Sequence, residues 1–365
     1  MRRCLGLLLC AAMLSACGAA ATAPAPLTYL GQLQLPGKQF DGTVVGGLSD
    51  IDYDPATQLY FIASDDRSEQ NPARFYTARI SLSDNGVDNV EFVSTHPWLN
   101  RDGQPFAASD TGARPPSLPP DPEGIAFDPR RQLLYWSYEG TRVLDAPNEP
   151  ALSDPRVLIA TPDGRYVGEF ALPPVLRTST GQTGPRNNLG LEGLTLAPGG
   201  QVLWAAMEGP GFNDGAVPTE AAGALTRVMR FNVETRRATA QYAYPLDPVP
   251  TGPDGDNGLT ALLALSDTDF LAVERSYGSH VSVRVYRVTL GDAEDVSDRS
   301  SLTSPPVRPM SKTLLADLTS AVDPLDNVEA ITFGPELPDG RRSVLMVSDD
   351  NFSDDQITQF LAFAL

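Results

Sequence analysis

A unit of about seventy residues recurs along this chain: a short apolar strand, a turn rich in Gly, Pro and Asp, and a second apolar strand ending in an acid. The first copy runs from Gly47-Leu48-Ser49-Asp50-Ile51 through Leu59–Ala63 to Ser64-Asp65-Asp66. The second runs from Pro122-Glu123-Gly124-Ile125 to Tyr138-Glu139-Gly140, and the third from Leu191-Glu192-Gly193-Leu194 to Met207-Glu208-Gly209. The fourth joins Leu259-Thr260-Ala261-Leu262 to Glu274-Arg275, and the fifth joins Val328-Glu329-Ala330-Ile331 to Ser348-Asp349-Asp350-Asn351. One aligned position reads Ser49, Glu123, Glu192, Thr260 and Glu329, at spacings of 74, 69, 68 and 69 residues. One or two further strand-like runs follow each copy, such as Arg74–Leu82, Arg156–Ala160 and Val281–Leu290. Three or four strands per unit, repeated at a long period, predict an all-β fold of radially repeated sheets, a β-propeller. A sandwich or plain barrel is the alternative, and it would lack the long period.

Five blades are recognisable, and a degenerate sixth has room in the Pro-rich stretches around 95–120 or 295–320. The last copy has only three strands, the third being Ile357–Leu365. The N-terminal run Leu27–Leu35 belongs to no unit, so it is expected to supply the missing outer strand and close the ring, leaving no open sheet edge. The 31 glycines and 33 prolines suit many short strands joined by turns and argue against a helical bundle.

Charge narrows the partners. With 27 basic and 46 acidic residues the net charge is −19, which excludes nucleic acid as a partner, since phosphate backbones require a basic face. It is compatible with cations. Lys38 and Lys312 are the only lysines, so the basic side is almost all arginine. Two histidines, His96 and His280, and three cysteines, Cys4, Cys10 and Cys17, leave no material for a cysteine framework and little for zinc.

The first residues read as an address. Arg2 and Arg3 precede the apolar stretch Leu5–Leu14, which is too short to span a bilayer and has the order of a secretory signal. It ends in Leu14-Ser15-Ala16-Cys17, which resembles a bacterial lipobox. That resemblance implies a signal peptide over residues 1–16, cleavage before Cys17, lipidation of Cys17 and a membrane anchor in the cell envelope. Gly18 after the cysteine favours the outer membrane in such proteins. An ordinary signal peptide with a chance cysteine is the alternative. Cys17 and the small, Pro-rich residues up to 26 form a tether, and residues 27–365 are the expected propeller domain.

The repeat also places acids. In a propeller the first strand of each blade lines the central channel, and first and second strands run antiparallel. Glu123, Glu192 and Glu329 begin first strands, while Asp65, Glu139, Glu208, Glu274 and Asp349 end second strands. Both sets are therefore expected at one mouth of the channel, with Asp66, Asp350 and Asn351 beside them. Clustered carboxylates repel one another unless a cation compensates, and hard oxygen ligands in an irregular, multi-carboxylate site favour calcium. The expected metal ligands are Asp65, Glu208, Glu274, Asp349 and Asn351, with Glu123, Glu192 and Glu329 as ligands or general bases. Asp254-Gly255-Asp256-Asn257-Gly258 and Asp349–Asp355 alternate oxygen ligands as calcium loops do, but neither has the spacing of an EF-hand. No G-x-S-x-G nucleophile elbow is present; Gly47-Leu48-Ser49-Asp50-Ile51 lacks the closing glycine. His96 is expected in a loop and His280 at the start of a strand.

Several of these segments together resemble the phytase-like family, known by its esterase-like activity of phytase. They are Gly47-Leu48-Ser49, Ser64-Asp65-Asp66-Arg67 with Pro72-Ala73-Arg74-Phe75-Tyr76, Asp121-Pro122-Glu123-Gly124, Asn188–Leu194, Glu274-Arg275 and Asn327-Val328-Glu329-Ala330. The resemblance covers roughly residues 40–363. It implies a secreted or envelope propeller and hydrolysis of a small-molecule phosphate ester or other ester. Arg74 and Arg275 are the expected phosphate contacts, because a guanidinium matches the phosphate fork. This chain departs from the family's pattern at Asp50, where glycine is usual, and at Thr260, where other units carry Glu. A non-catalytic propeller that binds a ligand or protein at the same mouth is the second reading.

Overall fold

The computed structural model describes residues 26–365; the expected signal peptide and Cys17 lie outside the described residues. Five four-stranded antiparallel sheets form the blades. Blade 1 is Ile51–Asp54, Leu59–Ser64, Arg74–Ser83 and Gly86–Pro97, counted outward from the channel. Blade 2 is Asp121–Asp128, Leu133–Glu139, Arg156–Ala160 and Tyr166–Glu169. Blade 3 is Leu191–Leu196, Val202–Met207, Ala224–Asn232 and Arg237–Leu246. Blade 4 is Gly258–Ala264, Asp269–Tyr277, Val281–Thr289 and Ser311–Asp317. Blade 5 is Val328–Glu336, Arg342–Ser348, Thr358–Ala364 and, outermost, Thr28–Leu35. The innermost strands touch in sequence order, and that of blade 5 returns to blade 1, so the ring closes. Among the described residues the only helical turns are Pro174–Leu176 and Phe212–Asp214.

The second strands read as continuous apolar runs because both faces of each blade are buried. Alternation by two sends successive side chains to opposite neighbours. Tyr60 and Ile62 pack with Leu345 and Phe360 of blade 5, while Phe61 and Ala63 pack with Ile125 and Trp136 of blade 2. Leu203 faces Tyr135 of blade 2, and Trp204 faces Phe270 of blade 4. Between blades 1 and 2, Trp98 and Trp136 stack with centroids 4.4 Å apart and planes at 8°.

The expected closure is present: Thr28–Leu35 pairs antiparallel with Thr358–Ala364, from Thr28 opposite Ala364 to Leu35 opposite Thr358. This strand also presses on blade 1, where a Cβ on Gly86 would stand 2.6 Å from the Gly31 Cα. Among the described residues the ring has five blades and no sixth. Residues after Pro97 form an irregular loop with two isolated bridges, and Ser311–Asp317 is the outer strand of blade 4. His96 lies within the outer strand of blade 1 rather than in a loop.

Inner strands expose backbone groups to the channel, and neighbouring blades satisfy several of them. Asp50 accepts from the Ile125 N–H (2.8 Å), Asp52 from the Phe127 N–H (2.7 Å), and Thr195 Oγ1 from the Ala264 N–H (3.0 Å). Ser49 donates to the Pro122 carbonyl and Thr260 to that of Val328, each at 3.1 Å. Where the repeat has a hydroxyl in place of Glu, that hydroxyl fastens its blade to the next.

Candidate functional site

The acids of the repeat sit where the inner strands break register. In blade 2, Pro122 pairs with Tyr138 and Ile125 with Trp136; in blade 3, Leu191 pairs with Met207 and Leu194 with Ala205. In blades 4 and 5 the shifts fall between Leu259 and Ala261 and between Val328 and Ala330. Glu123, Glu192, Thr260 and Glu329 are thus left without a cross-strand partner. Such bulges re-aim a side chain and are common beside functional sites.

The second strands end beside these bulges. Pairing places Glu139 opposite Asp121 and Arg275 opposite Gly258. Matching backbone bonds join Asp65 to Gly47, Glu208 to Gly190 and Asp349 to Asn327. One register therefore reads Asp65, Glu139, Glu208, Arg275 and Asp349, a residue from every blade. Two positions before the bulge, another register reads Gly47, Asp121, Gly190, Gly258 and Asn327. Small residues there leave room for the acids: a Cβ on Gly190 would stand 2.8 Å from the Glu139 Oε1.

The result is a buried acidic mouth. Carboxylate oxygens of Asp121, Glu123 and Glu139 lie within 4.8 Å of one another, as do those of Glu139, Glu192 and Glu208, so Glu139 belongs to both groups. Asp65, Glu329 and Asp349 extend the cluster around the ring, each within electrostatic reach of its neighbours. Burial raises these carboxyl pKa values, and mutual repulsion adds to it. Glu123, Glu139, Glu192, Asp65 and Asp349 stand well above the ordinary range. Burial pushes Asp121 up to about 6 and Glu208 up to about 7, although a nearby arginine opposes each shift.

Two arginines answer this charge. Arg67, at the rim, pairs with Asp121 and donates to Asn188 Oδ1 (2.9 Å). Arg275, mostly covered, pairs with Glu329 at 3.0 Å and reaches Glu208 and Asp256 at 3.4 Å. Burial works against its charge, but Glu208 and Glu329 overcome that and raise its pKa. Three buried polar atoms in the mouth have no hydrogen-bond partner: Asp65 Oδ1, Asp121 Oδ1 and Arg275 Nε. Native interiors rarely leave such atoms unmatched, so they mark where a further group fits. The donors are hard oxygens with a strong negative excess, which suits a divalent cation.

The structure brings together Asp65, Glu123, Glu192, Glu208, Glu329, Asp349 and Arg275, and it places two expected residues, Glu274 and Arg74, elsewhere. Glu274 pairs in register with Leu259, in the row of Tyr138, Met207 and Ser348, so alternation turns it away from the channel. It lies between blades 3 and 4, where it pairs with Lys312 and accepts from Tyr244 (2.9 Å) and Asn257 (2.8 Å). Arg74 is buried, pairs with Asp66 at 2.6 Å and donates to Tyr76 (2.7 Å) and the Val44 carbonyl (2.6 Å), leaving it no reach to a substrate. Asn351 lines a pocket with Asp65 and Arg67 and donates its amide N–H to Gln356 at 3.2 Å. In the two loops with alternating oxygen ligands, Asp350 accepts from the Gly47 and Phe352 N–H groups, and Asp256 accepts from the Tyr277 N–H and from Arg275. Asp121 and Arg67 were not singled out from sequence. Signals for both were available: Asp121 stands two residues before Glu123 on an inner strand, and Arg67 closes the segment Ser64-Asp65-Asp66-Arg67 at a strand end.

The family model described as phytase-like, esterase-like activity of phytase, matches residues 43–352. No curated protein matches the chain. Similar solved structures include the periplasmic gluconolactonase of Pseudomonas aeruginosa, at 14% identity over 89% of this chain and 92% of that one, with a TM-score of 0.36. A gluconolactonase from Xanthomonas campestris matches at 12% identity over 93% and 95%, with a TM-score of 0.38. A mannose phosphorylase from Leishmania mexicana matches at 11% identity over 90% and 86%, with a TM-score of 0.44.

Proposed function

The chain belongs to the phytase-like family, and on that premise we propose that it is a calcium-dependent hydrolase of phosphate esters or other small-molecule esters, working at the acidic mouth. The observation that carries this reading is the convergence of buried carboxylates around the unpartnered oxygens of Asp65 and Asp121. Asp121, Glu123 and Glu139 would hold one cation, and Glu139, Glu192 and Glu208 are a second candidate set, with Asp65 and Asp349 completing the ring. A divalent cation so held neutralises phosphoryl oxygens and lowers the pKa of water.

The chain's own residues supply the rest. Arg67 is half-exposed at the rim, where its guanidinium can receive an anionic group entering the channel. Arg275, fixed by Glu329 and Glu208, aims its spare Nε into the mouth. Glu123, Glu192 and Glu329 have carboxyl pKa values raised by burial, which makes them candidates for proton transfer. The test is turnover of p-nitrophenyl phosphate and p-nitrophenyl acetate with calcium and with chelator. Activity that is lost with chelator and restored by calcium is expected. Glu192→Gln should lower kcat by about 100-fold or more, the scale of a lost general acid or base. Calcium binding without turnover of either ester would instead favour a propeller that only binds its ligand.

In the same reading the protein is held on the bacterial envelope by lipid on Cys17. Mass spectrometry of the mature N-terminus should find a diacylglyceryl-modified Cys17. Cleavage elsewhere, or an unmodified cysteine, overturns the anchoring without touching the hydrolase reading.

A further inference from the structure

The end of the channel away from the acids holds a cavity of about 570 Å³ into which all five innermost strands open. That is the size of a small-molecule site. Ile51, Ile125, Leu194 and Ile331 line its inner end, two positions along each strand from the repeat's Ser or Glu. Tyr53, Phe127 and Phe333 line its flanks. Apolar surface of this kind gains by being removed from water.

Two polar side chains within the cavity, Asp52 and Thr195, are already engaged. Asp52 accepts from the N–H groups of Tyr53 and Phe127 and from the Thr332 hydroxyl, and Thr195 Oγ1 accepts from the Ala264 N–H. The rim differs. Arg130 and Arg342 line it, and among the described residues neither guanidinium has a hydrogen-bond or ion-pair partner. Arg131, next in sequence, is taken by Asp128 and the Gly200 carbonyl. Arg342 lies over the Phe333 ring with its Cζ 3.4 Å from the centroid, which leaves the N–H edge of the guanidinium free. Glu336 is on the same rim, opposite Arg342 in register, and makes no ion pair with it.

Apolar depth beneath two uncommitted guanidinium groups is complementary to one kind of molecule. We propose that this cavity binds an amphiphilic carboxylate, an aryl or alkyl acid with its apolar body against the isoleucines and its carboxylate at the rim that carries Arg130 and Arg342. A guanidinium pairs a carboxylate through two parallel hydrogen bonds, so the rim sets the ligand's orientation. This site lies at the opposite end of the channel from the acidic mouth and does not depend on the hydrolase reading.

The test titrates the protein with 2-naphthoate and with the neutral 2-naphthalenemethanol by isothermal calorimetry, with and without chelator. Saturable binding of one naphthoate per chain, unchanged by chelator, is expected. Replacing both rim arginines, R130A with R342A, should weaken naphthoate at least tenfold and leave the alcohol unchanged. Both positions are exposed, so this variant keeps its fold. Leu196→Trp, which fills the cavity, should abolish binding of both compounds. Non-saturable binding of naphthoate, equal affinity of the double variant and the wild type, or naphthoate binding that persists in a folded Leu196→Trp protein would each overturn the proposal.

Discussion

Millimolar calcium should raise the unfolding temperature of this protein, and chelator should return it to its starting value. Without cation, the fold holds Glu123, Glu139, Glu192 and their neighbours buried together against their mutual repulsion. A ligand that binds only the folded form adds RT ln(1 + [L]/Kd), about 2.7 kcal/mol at a hundredfold excess over Kd. The pH dependence has a definite sign. These carboxyl pKa values are raised in the folded state, to about 6 for Asp121 and about 7 for Glu208. The folded protein therefore binds more protons than the unfolded chain between the ordinary carboxylate pKa and pH 7, and its stability falls as pH rises through that window. The calcium-dependent gain should accordingly be larger at pH 8 than at pH 5. Glu192→Gln removes one charge at nearly constant size, so it should raise cation-free stability at pH 8 and shrink the gain from calcium. A wild-type melting curve at pH 8 that ignores millimolar calcium would show the acids to be structural, and the hydrolase reading would lose its main support.

Arg74→Met should cost about 3–5 kcal/mol, the range for removing one partner of a buried ion pair. Side chains of Arg74 and Asp66 are 2% and 1% exposed. Asp66 would keep the N–H groups of Glu69, Gln70 and Asn71. The charge that balanced it would be gone, and the Val44 carbonyl and Tyr76 hydroxyl would lose their guanidinium donor. Guanidinium chloride unfolding measures the loss. The same variant should keep its calcium-dependent rise in melting temperature, whereas Arg67→Ala should leave unfolding nearly unchanged and alter substrate binding. A loss below about 1 kcal/mol for Arg74→Met, on the scale of a surface pair, would return Arg74 to the list of candidate substrate contacts.

The contrast between these two arginines shows what could be read from the sequence. The blades were legible because each repeats the same apolar pattern, and Glu123, Glu192 and Glu329 were legible because they recur at one position in it. The N-terminal strand was legible from a deficit, since the last unit lacked an outer strand. Glu274 was misplaced because Glu274-Arg275 offers two adjacent charges at a strand end, and only the pairing of Leu259 with Glu274 decides which faces the channel. Once that register is known, blade 4 contributes Arg275 and Thr260 where other blades contribute acids. Arg74 and Arg67 are both arginines near the same acidic run; one meets Asp66 and the Val44 carbonyl from a separate segment, a contact that no local pattern encodes. The cavity at the far end was invisible for a related reason. It is made of side chains that individually look like core, and only ring geometry leaves their outer ends uncovered.

The strand that closes blade 5 also sets a timetable. Thr28–Leu35 leaves the ribosome first of all the blade strands, and its partner Thr358–Ala364 leaves last. Until Thr358–Ala364 is made, the earliest strand has no ladder to join, and the pairing then has to span more than 300 residues. Loop closure on that scale is slow compared with the local hairpins of blades 1 to 4. Completion of the ring thus waits for blade 5, and a chain interrupted before Thr358 would carry an unpaired edge able to join a second copy.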